Sequence, residues 1–280
     1  MKTALNPVTL SPELSLAEFV NIAGQAGFAG VEFSMDTAAE YAGQHGVEGL
    51  RGLFAEAGVG PAQWRLMLPL WTPASDVSEE MARAPERCAL AAEIGAATAM
   101  QVVPCRAAVP QDEAMAWLTS ILRDAAQLVA GWDVSLALEF IGLHVAGDDS
   151  EKFIVTLGDT LDLIERIGEP NVGVMLDFYH FYVGGSTREQ LEAMPGELLH
   201  MIHIDDAPPG PVEQLKDPMR VLPGEGVIGV ADLLAVCAEK GYDGYVSLEL
   251  FGQELREMAP EKGANRGYKA LERVMSEAIR

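Results

Sequence analysis

Residues 172–180 read Val-Gly-Val-Met-Leu-Asp-Phe-Tyr-His. Val172 to Leu176 is an apolar run suited to a strand covered on both faces, and it closes on Asp177, with His180 three residues further on. A carboxylate at the tip of a buried strand is costly unless something compensates it. The same phrase, a short apolar segment followed by an amphipathic stretch, recurs along the chain. Strand candidates are TALN (3–6), GVEFS (30–34), AQWRLM (62–67), TAMQVV (98–103), SLALEF (135–140), VGVMLD (172–177), LHMIHID (199–205) and YVSLEL (245–250).

The intervening segments read as helices. Residues 15–27 open on Ser15 with Glu18 three residues later and stop at Gly27, a capping-box signature. Residues 112–130 and 149–167 carry apolar side chains at helical spacing, and 231–242 places an acid near its start and Lys-Gly at its end. Eight alternating strand–helix units predict a closed parallel (β/α)8 TIM barrel, in the α/β class, filling residues 1–280 as one domain with a C-terminal helical extension from about 255. Neither G-x-G-x-x-G after the first strand nor a P-loop occurs, which argues against open-sheet nucleotide-binding folds.

In a barrel of this kind chemistry gathers at the C-terminal strand ends. Glu139 closes the fifth strand, Asp177 the sixth, His203 lies late in the seventh, and Glu249 closes the eighth. One strand-end acid has many uses, and one histidine in an apolar strand is commonly a hydrogen-bonded core residue. Four such residues on successive strands converge, and three carboxylates and an imidazole are unfavourable together without a cation. One divalent metal ion is therefore expected. The oxygen-rich, thiolate-free set favours Mn²⁺, with Mg²⁺, Co²⁺ and Zn²⁺ as alternatives.

Composition narrows the partners. Forty-two acidic against 19 basic residues give a net charge of −23, which repels a phosphate backbone, so nucleic acid is not expected. No apolar run is long enough for a membrane span, and the N-terminus does not read as a signal peptide. Cys88, Cys105 and Cys237 are scattered and odd in number, which predicts no disulfide framework and a reducing cytoplasmic setting.

The ordered motifs LALEF (136–140), LDFYH (176–180), HIDD (203–206), R-x-x-P-G-E-G (220–226) and GYDGYVSLELF (241–251) make the chain similar to the sugar phosphate isomerase/epimerase superfamily of xylose isomerase-like barrels. That group includes ketose 3-epimerases, inosose isomerases and dehydratases, hydroxypyruvate isomerases and endonuclease IV, and the resemblance runs over nearly the whole chain. It implies that Glu139, Asp177, His203 and Glu249 hold a single metal, the same four the barrel argument selects. It implies further that Glu139 and Glu249 pass protons on opposite faces of a carbohydrate or cyclitol through a metal-stabilised enediolate, and that His180 and Arg220 hold substrate oxygens. Dehydration or β-elimination from the same enediolate is the alternative outcome. Glu32, Trp71 and Gln101 are expected to line the pocket, with Trp64, Trp117 and Trp132 structural. By analogy the protein is expected to be a homo-oligomer.

Two departures qualify the resemblance. Asp205 stands where many members carry lysine, which weighs against an anionic substrate, and the stretch between His203 and Arg220 is long, which predicts a different lid. Strands three and four end in MLPLW and VVPC without histidine, so an endonuclease IV-like three-metal site, like an inert sugar-binding barrel, ranks lower.

Overall fold

The computed structural model describes residues 1–142 and 152–279. Its eight strands are β1 Lys2–Leu5, β2 Gly30–Phe33, β3 Gly60–Arg65, β4 Thr98–Val102, β5 Ser135–Glu139, β6 Val172–Asp177, β7 Leu199–Ile204 and β8 Tyr245–Leu248. They pair in parallel and in chain order, and β8 bonds back to β1, so the sheet closes and leaves no open edge. The expected (β/α)8 TIM barrel is the fold.

Helices α1 Leu16–Ala26, α2 Met35–Ala57, α3 Ser78–Ile94, α4 Gln111–Ala130, α5 Leu157–Ile167, α6 Phe178–Gly184, α7 Arg188–Ala193, α8 Val230–Glu239, α9 Gln253–Arg256 and α10 Pro260–Ala278 follow in order. The Ser15–Glu18 capping box of α1 forms, and Gly27 ends the helix in the left-handed region. The expected C-terminal extension consists of α9 and α10. Helix α10 packs between α8 and α1, so it serves as the barrel's own last outer helix.

The helix expected over 149–167 is shorter. Residues 149–151 lie outside the described residues, and the helix starts at Leu157 with Thr156 and Asp159 forming a reciprocal cap. Phe153 and Ile154 supplied the apolar spacing, yet their backbone amides donate to Cys105 and Pro104 at the exit of β4. Their amides are bonded to that exit, and helix begins only at the Thr156 cap.

Inside the barrel Ala4, Ala62, Met100, Ala137, Met175 and Met201 pack as one layer, small residues against unbranched ones. The ring of Tyr245 packs beneath this layer, and Gly30 and Gly60 make room for it: a Cβ at either would stand 2.4 or 2.3 Å from its ring or hydroxyl. Trp64 faces outward into the main core, with Nε1 donating to the Ala96 carbonyl, a structural role as expected.

Truncating Met175→Ala leaves a void that six strands cannot close, and is expected to cost about 2–4 kcal/mol in urea denaturation. Burial pushes the Cys88 thiol up to about 11 and that of Cys237 up to about 12. Neither should react with a thiol reagent at pH 8 until the protein is unfolded, as absorbance titration would show.

Candidate metal centre

Period-two alternation sends Ala137 and Glu139 into the barrel from β5, Met175 and Asp177 from β6, and Met201 and His203 from β7. A register shift between Val174 and Met175 brings Asp177 directly opposite His203. Glu249 follows β8 and is tied there by its amide donating to the Ile204 carbonyl. All four side chains are buried, and one ligand atom from each lies within 4.8 Å of the others.

His203 sits at the centre. Its Nδ1 is 3.4 Å from Glu139 Oε1, 3.2 Å from Glu249 Oε2 and 3.9 Å from Asp177 Oδ2, yet forms no hydrogen bond. Its Nε2 lies 2.9 Å from Glu32 Oε1. Glu32 also accepts from Ser247 Oγ and, at 2.7 Å, from Gln63 Nε2, so it is held as an acceptor. Glu32 therefore fixes a proton on Nε2, and Nδ1 is the ring atom left to give its lone pair to a metal held by the three carboxylates. Glu32 lines a cavity with Asn6, Gln63 and Arg65, and its carboxylate also orients His203.

The three-residue spacing of Asp177 and His180 has a local cause. Asp177 is the N-cap of α6, and its Oδ1 accepts from the His180 backbone amide at 2.8 Å, leaving Oδ2 for the site. His180 is buried, its Nε2 accepting from Arg220 Nη2 at 3.0 Å while Nδ1 has no partner.

Arg220 is more deeply engaged than a substrate contact would be. Its Nη1 donates to Asp177 Oδ2 at 2.7 Å, to Glu249 Oε2 at 3.2 Å and to Asp205, its Nη2 donates to Asp217 at 2.8 Å, and the guanidinium lies over the rings of Tyr179 and Phe251. As placed, it is a buried counter-ion. Burial raises the Asp177 carboxyl, but Arg220, His180 and His203 together outweigh it and hold the group below the usual range. Burial also opposes ionisation of Glu249, and His203 with Arg220 overcomes it. Asp205, where burial prevails, is pushed well up. Burial disfavours charge on His203 too, but Glu249 and Glu32 raise it well above its ordinary value.

Asp206 shapes the next loop. It accepts from the amides of Ala207, Gly224 and Ile228, and its backbone pairs with Val221. This folds residues 220–226 back over β7. Gly226 is required there, because a Cβ would stand 2.2 Å from the Ala207 carbonyl and 2.4 Å from Asp206 Oδ1. The long segment before Arg220 forms two short 3-10 turns, Val212–Gln214 and Asp217–Met219; it buries Leu215 against Tyr179 and delivers Asp217 to Arg220.

Gln101 and Trp71 stand apart from the four ligands. Both line a cavity of about 310 Å³, but the Gln101 amide is used to accept from the Leu68 N–H at 2.8 Å and donate to the Leu68 carbonyl at 3.0 Å. Trp71 is 67 % exposed on the loop so held. Asn6 and Arg65 were not singled out from sequence. Asn6 Nδ2 donates to Glu249 Oε1 at 3.0 Å, and Arg65 Nη2 approaches the same oxygen at 3.5 Å. Their only local signal is position at the ends of β1 and β3.

The family model of the xylose isomerase-like TIM barrel matches residues 20–274. The chain belongs to that family. Within curated relatives, the inosose isomerase of Halalkalibacterium halodurans is 34% identical over 143 residues, 51% of this chain and 49% of that protein. The 3-dehydroshikimate dehydratase of Pseudomonas aeruginosa is 25% identical over 97% of this chain and 41% of its own length. The matches thus span about half or less of these relatives. The IOLI protein, solved with a bound zinc atom, superposes with a TM-score of 0.85 at 23% identity over 99% of both chains. Among the described residues no helix is long and apolar enough to cross a membrane.

Three carboxylates, one imidazole and an unpartnered, buried Nδ1 facing them fit a single divalent ion. His203→Ala should abolish tight metal binding in calorimetric titration with Mn²⁺ or Zn²⁺. Glu32→Gln, which keeps all four ligands but loosens the histidine, should weaken it about 10- to 100-fold.

Proposed function

We propose that the protein is a divalent-metal-dependent enzyme that moves a proton adjacent to the carbonyl of a sugar or cyclitol, isomerising or epimerising it. The observation that carries this reading is the pair of carboxylates, Glu139 and Glu249, approaching His203 Nδ1 from β5 and β8 at 3.4 and 3.2 Å. The inosose isomerase relatives support it. Bound at Glu139, Asp177, His203 and Glu249, a divalent ion would polarise the carbonyl and stabilise the enediolate left when the α-proton departs.

Glu139 and Glu249 then act as the base and the acid, one removing a proton and the other returning it. Arg220 and Asn6 fix Glu249 through different oxygens, so its orientation is set before substrate arrives. Because Arg220 donates to His180 Nε2, an Nδ1–H tautomer would leave an unpartnered donor, and we assign it to a substrate hydroxyl. The donor set favours Mn²⁺ by its oxygen content, and the zinc of the IOLI protein makes Zn²⁺ the second ion to try.

Elimination is the second reading. The dehydratase of Pseudomonas aeruginosa aligns over 97% of this chain, further than the isomerases do, and loss of a proton beside a carbonyl could here be followed by loss of water.

Incubation of the metal-loaded protein with inososes and keto-sugars in D₂O separates the two. Deuterium at an α-carbon without water loss is expected, whereas a dehydrated product would transfer the assignment to the lyase. Glu139→Gln and Glu249→Gln should each lower kcat by about 10²- to 10⁴-fold. Wild-type exchange surviving complete metal removal would overturn the reading.

A further inference from the structure

Two arginines among the described residues reach the ligand carboxylates, and they differ in kind. The Arg220 side chain is 0% exposed, bonded to four carboxylates and a histidine. The Arg65 side chain is 40% exposed, and its one ion pair is the 3.5 Å approach to a Glu249 oxygen that Asn6 already serves at 3.0 Å. A guanidinium carries five donors in a fixed planar fork, and this one leaves most of them uncommitted.

Their surroundings are concave. Arg65 lines two neighbouring cavities, one of about 250 Å³ with Asn6, Glu32 and Gln63, the other of about 310 Å³ with Leu68, Trp71 and Gln101. Arg87, the other arginine beside the first cavity, is buried and paired with Asp36 and Glu80. Arg65 therefore stands on β3 across the mouth from the ligands on β5 to β8, within the space a small molecule would fill. A neutral substrate closing over it would bury charged donors without partners, which is unfavourable. A substrate bearing an anion would pair with them, and without that pairing the surrounding carboxylates would repel it.

We propose that Arg65 is a specificity-determining residue that binds an anionic substituent, carboxylate or phosphate, of the carbonyl substrate. The proposal rests on the function assigned above and narrows its substrate class. It also revises the expectation drawn from Asp205: the lysine missing from the HIDD motif is answered by an arginine on another strand.

The test is calorimetric binding to the metal-loaded protein, with no turnover required, using two matched pairs. The neutral inosose is compared with 3-dehydroshikimate, a carboxylated cyclic ketone, and D-fructose with its 6-phosphate. The anionic member of one pair should bind at least about 10-fold tighter, and the pair that shows the preference identifies carboxylate or phosphate. Arg65→Met should weaken that member about 10- to 100-fold and bring the pair close to parity, while Arg65→Lys should retain part of the preference. Thermal melting of both variants controls for folding. Equal or undetectable binding of both members in both pairs, or an equal loss for both members on Arg65→Met, would assign Arg65 to Glu249 alone and overturn the proposal. Binding preference without deuterium exchange would uphold Arg65 and fail the assigned reaction, so the two failures are distinguishable.

Discussion

Four carboxylates, from Glu32, Glu139, Asp177 and Glu249, crowd around one imidazole at the mouth of the barrel, with Asp205 beside them on Arg220, where solvent scarcely reaches. Charge of one sign packed this tightly away from water is tolerable only when each group is individually satisfied. The surrounding structure meets that requirement in different ways. Glu32 is held by Ser247 and Gln63, Asp177 by the α6 amide and Arg220, and Glu249 by Asn6 and Arg220. Asp205 is the exception, since burial raises its affinity for a proton despite Arg220. The same excess of acids attracts a divalent cation, and what balances the charge also preorganises the residues that would act on a substrate.

Much of this was legible in the amino-acid sequence because the barrel maps linear order onto position. Once strands β5 to β8 are recognised by their two-sided apolar runs, a polar residue at each tip must face the mouth, and Glu139, Asp177, His203 and Glu249 follow. The three-residue interval from Asp177 to His180 is equally local, being the reach of an N-cap. What escaped depends on contacts between remote strands. Nothing near Glu32 indicates that it will meet His203, 171 residues away, rather than a ligand. Arg65 and Asn6 join the site through contacts remote in sequence, chiefly with Glu249, and Arg220 acts as a counter-ion because Asp205 and Asp217 reach it too. The start of α5 is hidden for a related reason: Phe153 and Ile154 have helical spacing, but their amides bond to the exit of β4, remote in sequence.

The mouth is thereby divided. Strands β5 to β8 carry the residues suited to hold a metal and move a proton, while β1 to β4 contribute groups that orient them or face the cavities. Glu32 crosses this division, rising from β2 to fix the tautomer of a histidine on β7. Arg65 crosses it in the other sense, standing on β3 with its fork turned between Glu249 and open space.

Met67, with a positive φ of 68° and a largely exposed side chain, turns the chain out of β3, a conformation that costs a residue with a Cβ about 1–2 kcal/mol. What offsets it is the Gln101 amide, which grips both polar groups of the Leu68 backbone in the manner of one missing rung of a sheet ladder. The wall of one cavity is therefore held by a side chain that touches none of the four ligands, together with the buried Leu68 and Leu70. Pro69 and Trp71, on either side of the buried Leu70, can be exchanged during divergence without disturbing the groups that do chemistry. A lineage could thus acquire a new substrate by rewriting these two positions, with the reaction inherited intact.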